Sequence, residues 1–107
     1  MVSEVNADNF EKEVVESEIP VLVDFWGPQC APCLALIPQV EKLEEKFGKR
    51  LKITKVDASK NRRLCLTLKV LGLPTFLIYK GGKEVDRLSG NNLKIEEIEE
   101  AVKKIVD

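Results

Sequence analysis

Val21-Leu22-Val23-Asp24-Phe25-Trp26-Gly27-Pro28-Gln29-Cys30-Ala31-Pro32-Cys33 is the stretch on which the reading of this 107-residue chain turns. Its first six residues are apolar except for Asp24, which predicts a central strand, Val21–Trp26, buried on both faces. Behind Cys33 the apolar positions Leu36, Ile37, Val40, Leu43 and Phe47 recur at helical spacing, predicting a helix over 32–47. Cys30 therefore falls in a loop at a helix N-terminus. Unpaired backbone N–H groups and the positive end of the helix dipole favour thiolate over thiol there. Cys33, one turn along, is near enough to close a disulfide with it. That is the equipment for thiol–disulfide exchange.

Composition narrows the class. Hydrophobic residues make up 44% of the chain and charged residues 33%, the balance of a folded domain rather than a disordered one. At this length one domain, 1–107, is expected, with a single core of modest size. The net charge of −1 comes with Lys and Arg scattered among Asp and Glu. No basic stripe suggests nucleic acid, and no basic amphipathic helix suggests a membrane surface. The apolar runs fall far short of the roughly 20 residues a membrane span needs. Met1-Val2-Ser3-Glu4-Val5-Asn6 has neither a basic nor an apolar leader region, so no signal peptide is read and a cytoplasmic protein is expected. In that compartment a C-x-x-C is more often catalytic or metal-binding than a structural staple.

Working outward, 2–5 is a short candidate strand. Asp8, with Glu11 three residues on, predicts a capping box for a helix to about Ser17, and Pro20 ends the connection. Pro38 inside the helix over 32–47 should kink it. Leu51, Ile53 and Val56 mark a third strand, closed by Asp57-Ala58-Ser59. A shorter helix over 61–69 carries Leu64, Cys65 and Leu68. Thr75–Lys80 and 84–89 form a hairpin across Gly81-Gly82. Ile95, Ile98, Val102 and Ile105 give a last helix one apolar face. The order is βαβαβαββα. Helical crossovers make the first strands parallel, and the hairpin adds an antiparallel pair.

On Val23-Asp24-Phe25-Trp26, Cys30-Ala31-Pro32-Cys33, Pro38, Lys55-Val56-Asp57, Gly72-Leu73-Pro74-Thr75 and Gly90, the chain resembles the thioredoxin family over nearly its whole length. The resemblance implies an α/β thioredoxin fold, a central mixed five-stranded sheet flanked by four helices. It implies a protein-disulfide reductase, a dithiol electron carrier that needs no bound cofactor because the dithiol itself carries the electrons. Substrates would be extended segments of disulfide-containing client proteins. A thioredoxin reductase, flavin- or ferredoxin-linked, would recharge it, and a monomer is the default expectation.

Cys30 is the expected nucleophile, with Cys33 displacing the reduced substrate from a mixed disulfide. A zinc half-site competes weakly, since the chain has no His and only Cys65 beyond the pair. A purely structural disulfide would close a tiny loop and add little stability. The resemblance places Asp24 beneath the disulfide, moving a proton to or from Cys33, with Lys55 on the neighbouring strand placed to pair with it. The competing view is an Asp bonded to loop amides at a strand end. Trp26, Gly27, Pro28, Gln29, Ala31 and Pro32 complete the active-site loop, with Ala31-Pro32 setting the redox poise. Trp26 is either part substrate surface or purely core.

Further on, the resemblance implies that Pro74 is cis and packs against Cys30, with Leu73 offering backbone groups to an added substrate strand. A trans proline starting an edge strand is the alternative. Gly72 and Gly90 belong to the groove, Gly90 by close approach at its rim or as an ordinary loop glycine. Cys65 reads as core rather than as a regulatory thiol. Gln29 and Leu34 depart from the Trp and Lys usual in the family at those places, which bears on docking rather than on exchange. Two other functions stay open: a disulfide oxidant, and a redox-gated binding module.

Overall fold

The computed structural model describes residues 2–106. The elements run β1 (Ser3–Glu4), a π-helix (Glu11–Val15), β2 (Val21–Trp26), α1 (Ala31–Phe47), β3 (Lys52–Asp57), α2 (Arg62–Thr67), β4 (Thr75–Lys80), β5 (Lys83–Ser89) and α3 (Ile95–Ile105). Short 3-10 turns follow α1 and β3. The five strands form one sheet in the order β1-β3-β2-β4-β5. β2 pairs in parallel with β3 and antiparallel with β4, and the β4–β5 hairpin is antiparallel. This is the mixed five-stranded sheet with four helices expected of the thioredoxin fold. The expected domain span takes in Met1 and Asp107, which lie outside the described residues.

Period-two alternation along β2 divides two cores. Leu22 joins Ile53, Phe76 and Ile78 beneath α1 and α3, while Val21, Val23 and Phe25 face Val14, Cys65 and Leu77 on the other side. The stripe Cys33, Leu36, Val40, Leu43, Phe47 is the buried face of α1. α1 remains helical on both sides of Pro38, which is exposed. No helix among the described residues is long and apolar enough to cross a membrane.

The first helix differs from expectation. It is π-helical over Glu11–Val15, with Glu16 N–H reaching back to Glu11 O, and Asp8 caps nothing. Asn6 takes that part instead. Its Oδ1 accepts from Asp8 N–H at 2.9 Å and Asn9 N–H at 3.2 Å, while Asn9 Oδ1 accepts from Asn6 N–H at 2.8 Å. Asn is as good a cap as Asp, and this reciprocal pair satisfies the loose amides two residues earlier.

The far end of α2 is held from β5. Arg87 donates to Leu68 O at 2.7 Å and Lys69 O at 2.8 Å, and also to both carboxylate oxygens of Glu84. The carbonyls just past the end of this short helix thus gain charged donors, anchoring the segment that leads into β4. Arg87→Ala should lower stability by about 1 kcal/mol, the modest value of charge-assisted bonds at a partly exposed site. Thermal unfolding should show a Tm several degrees lower, and an unchanged Tm would mean the tie adds nothing.

Candidate active site

Cys30 is the N-cap of α1, extended at φ −97° and ψ 98°. Its Sγ accepts the N–H of Cys33 at 3.3 Å, the place a Ser or Asp oxygen would take in an ordinary cap. Pro32 brings no N–H to this first turn, so the amide of Cys33 is the donor left to serve the sulfur. Cys30 N–H donates to Gly27 O at 3.1 Å, closing the loop that leads out of β2. The two cysteines form a disulfide with Cα atoms 5.3 Å apart. Cys30 is half-buried, whereas Cys33 is 1% exposed. Cys30 is therefore the more accessible of the two cysteines. After reduction, the Cys33 amide and the helix end both favour negative charge on the Cys30 sulfur.

Asp24 lies on the face of the sheet that α1 covers, in step with Leu22. It is 2% exposed, and its Oδ1 has no hydrogen-bond partner, so it is not bonded to loop amides through that oxygen. Burial pushes its carboxyl from the ordinary 3.8 up to about 7, against the pull of Lys55 and with a further push from Glu4. Lys55 stands opposite Asp24 in the β2–β3 register, as expected. Its ammonium, however, makes no ion pair there. It lies 3.9 Å from Glu4 Oε1 and 5.4 Å from the centre of the Trp26 ring. Full burial against Asp24 would strip the ammonium of water, and the outer carboxylate and ring face offer compensation at smaller desolvation cost.

The groove residues arrive from three loops. A surface hollow of about 550 Å³ brings Leu73 beside Gly27, Pro28, Gln29 and Cys30. A Cβ on Gly27 would sit 3.2 Å from Leu73 Cδ1, so glycine there permits the close approach of the two loops. Gly72, Leu73 and Gly90 line an adjoining hollow of about 290 Å³. The Leu73–Pro74 bond is cis. Gly90 N–H donates to Pro74 O at 3.2 Å. Open space surrounds the missing Cβ of Gly90, so its φ of +122°, not close approach, is what calls for glycine. Trp26 is half-buried, so it is neither wholly core nor wholly surface; its Nε1 is buried without a partner. Cys65 is 7% exposed in the second core, and burial pushes its thiol up.

Ala58, Ser59 and Arg62 also line the hollow at Cys30, and no motif of the sequence singles them out. Their signal is topological. β2 and β3 are parallel neighbours, so the loops at their C-terminal ends open at the same end of the sheet. Asp57, though buried, is occupied locally, its Oδ1 accepting from Ser59 N–H and hydroxyl. Leu34, directly after the second cysteine, is exposed.

Comparison with known proteins agrees with this site. The family model described as thioredoxin matches residues 1–104. A thioredoxin of Acetoanaerobium sticklandii is 43% identical over 103 residues, covering 96% of this chain and 98% of the relative. A thioredoxin of Peptoclostridium acidaminophilum is 39% identical over 106 residues, covering 99% and 96%. Thioredoxin 1 of a Nostoc species is 35% identical over 88 residues, 82% of each chain. The chain belongs to the thioredoxin family, and with its Cys30–Cys33 pair it is a protein-disulfide oxidoreductase that works by dithiol–disulfide exchange.

Proposed function

We propose that the chain is a cytoplasmic reductant of client-protein disulfides, one domain acting as a monomer and recharged by a flavin- or ferredoxin-linked thioredoxin reductase. The observation that carries the assignment of roles is the division of the pair. Cys30 caps the helix within reach of solvent, and Cys33 lies enclosed behind it. The Cys30 thiolate attacks one sulfur of the client disulfide, forming a mixed disulfide and releasing the other client sulfur as thiolate. Cys33 then gives up its proton and attacks Cys30 Sγ. The intramolecular disulfide closes and the second client sulfur leaves. Two electrons have passed to the client, and the reductase returns them with two protons.

Asp24 is our candidate for the group that takes the Cys33 proton. Its burial, its unpartnered oxygen and its place on the α1 face support that role. Lys55 acts on it through charge. Trp26, Gly27, Pro28, Gln29, Ala31 and Pro32 frame the exchanging sulfurs, and Gly72, Leu73, Pro74 and Gly90 form the rim along which an extended client segment lies. The end-of-sheet hollow at Cys30 and Leu73 supports this placement.

The assignment is tested by dithiothreitol-driven reduction of insulin disulfides. Intact protein should accelerate the reaction, and Cys30→Ser should abolish the acceleration. Cys33→Ser should trap a mixed disulfide with the client, seen as an adduct mass. Retained turnover in Cys30→Ser would defeat the assignment.

For Asp24 two outcomes are expected of Asp24→Asn. Release of the client from the mixed disulfide should slow roughly tenfold or more near neutral pH. Stability should also change with a definite sign. The folded-state carboxyl titrates above its unfolded value, so the contribution of this group to stability is fully present below about pH 4 and is lost as pH rises through about 7. The unfolded chain ionises first over that window. Asn does not ionise, so the variant should gain on the parent progressively across it, by as much as about 4 kcal/mol at pH 8. Equal denaturation midpoints at pH 8 would show that the carboxyl is not penalised by burial.

A further inference from the structure

Glu4 takes part in no step assigned above, yet its position binds it to the buried carboxyl. Glu4 stands opposite Lys55 in the β1–β3 register, and Lys55 stands opposite Asp24 in the β3–β2 register. Val2, Ile53 and Leu22, each two residues away on the same strand or its lead-in, all pack in the core beneath α1. The three charged residues therefore form one row on one face of the sheet, acid, base, acid. The row runs inward: the Glu4 side chain is 55% exposed, that of Lys55 28%, and Asp24 is 2% exposed.

The ammonium in the middle has two acids to choose between. It lies 3.9 Å from Glu4 Oε1 and over the Trp26 ring, while Asp24 Oδ1 has no partner. Asp8, Asp57 and Lys60 line the hollow that Glu4 and Trp26 also line, but among the described residues no ion pair joins Lys55 to any of them. Phe76 on β4, opposite Asp24, is apolar. Asp57, further along the same face of β3, is engaged with Ser59. The first turn of α1, Ala31-Pro32-Cys33-Leu34, carries no charged residue. Glu4 is thus the one group of the row able to hold the Lys55 cation on the outside. A second effect has the same sign, since a negative Glu4 itself disfavours a second negative charge at Asp24.

We propose that Glu4 is a positioning residue that retains the Lys55 ammonium at the sheet edge, so that Asp24 keeps the capacity to hold the proton exchanged with Cys33. The proposal rests on the relay reading of Asp24 for its purpose, though not for its test. With Glu4 neutralised, Lys55 is released toward Asp24, which should then ionise at lower pH. The relay would be left with a carboxylate too weakly basic to take up the Cys33 proton near neutrality.

The test is a titration of the Asp24 carboxyl by carbon-detected NMR in the oxidised protein, where neither Cys30 nor Cys33 titrates. Parent, Glu4→Gln, Lys55→Gln and the double variant are compared. Glu4→Gln should move the Asp24 midpoint down by about 0.5 pH unit or more, and Lys55→Gln should move it up. In the Lys55→Gln background, adding Glu4→Gln should produce less than about half of that downward shift, because little remains to be repositioned. An unmoved midpoint in Glu4→Gln overturns the proposal. An equal shift in both backgrounds also overturns it, since Glu4 would then act by its own charge alone. The relay is judged separately, from the pH profile of client release in Asp24→Asn. A profile unchanged by that substitution sinks the relay, while the hold of Glu4 on Lys55 still stands or falls with the titration.

Discussion

Closure of β2 on both faces is the constraint from which the rest of the molecule follows. With β3 on one side and β4 on the other, and helices above and below, Val21 through Phe25 lose contact with water. For the apolar residues of that run the loss is the driving force of the fold. For Asp24 in their midst it is a penalty that cannot be relieved without breaking the sheet. The strand also fixes where the reacting loop begins. It ends at Trp26, and the three residues that follow deliver Cys30 to the N-cap of α1. One strand thus sets both where the loop to the exposed sulfur starts and which carboxyl is buried in the sheet.

The division of labour within the pair comes from helix geometry. A residue at the N-cap sits half outside the helix, and its side chain turns back onto the amide three residues on. Cys30 does this with sulfur. Cys33, the donor of that amide, opens the apolar stripe that α1 lays on the sheet, so it is covered by the same contacts that hold the helix down. Exposure and enclosure are therefore consequences of register along a single turn.

Much of this is legible in the amino-acid sequence. The strand–loop–helix unit around the cysteines, the hairpin, and the last helix follow from periodicity and punctuation, and the observed bounds differ by a residue or so. The first helix defeats such a reading because Asp8 and Glu11 form a capping pattern locally. The competing Asn6–Asn9 exchange is an interaction pattern that a single motif does not reveal. Lys55 falls across from Asp24 as expected, because register follows from the sheet. The direction of its ammonium is not legible, since that depends on Glu4, a residue of a two-residue edge strand. Ala58 and Arg62 are hidden for a similar reason: they are brought to Cys30 by the parallel pairing of β2 and β3, and carry no mark of it in their own neighbourhood.

The enclosure of Cys33 has a consequence for upkeep. A peroxide or a small disulfide reaching the chain meets Cys30, and the lesion it leaves is a sulfenic acid or a mixed disulfide on that sulfur. Cys33 lies behind it, 1% exposed in the disulfide-bonded chain. Attack from behind expels water in the first case and the foreign thiol in the second, and both end in the same internal disulfide. Under the roles proposed for the two cysteines, damage at the exposed sulfur converts into an ordinary state of the working cycle, and the hardware of the trade doubles as repair.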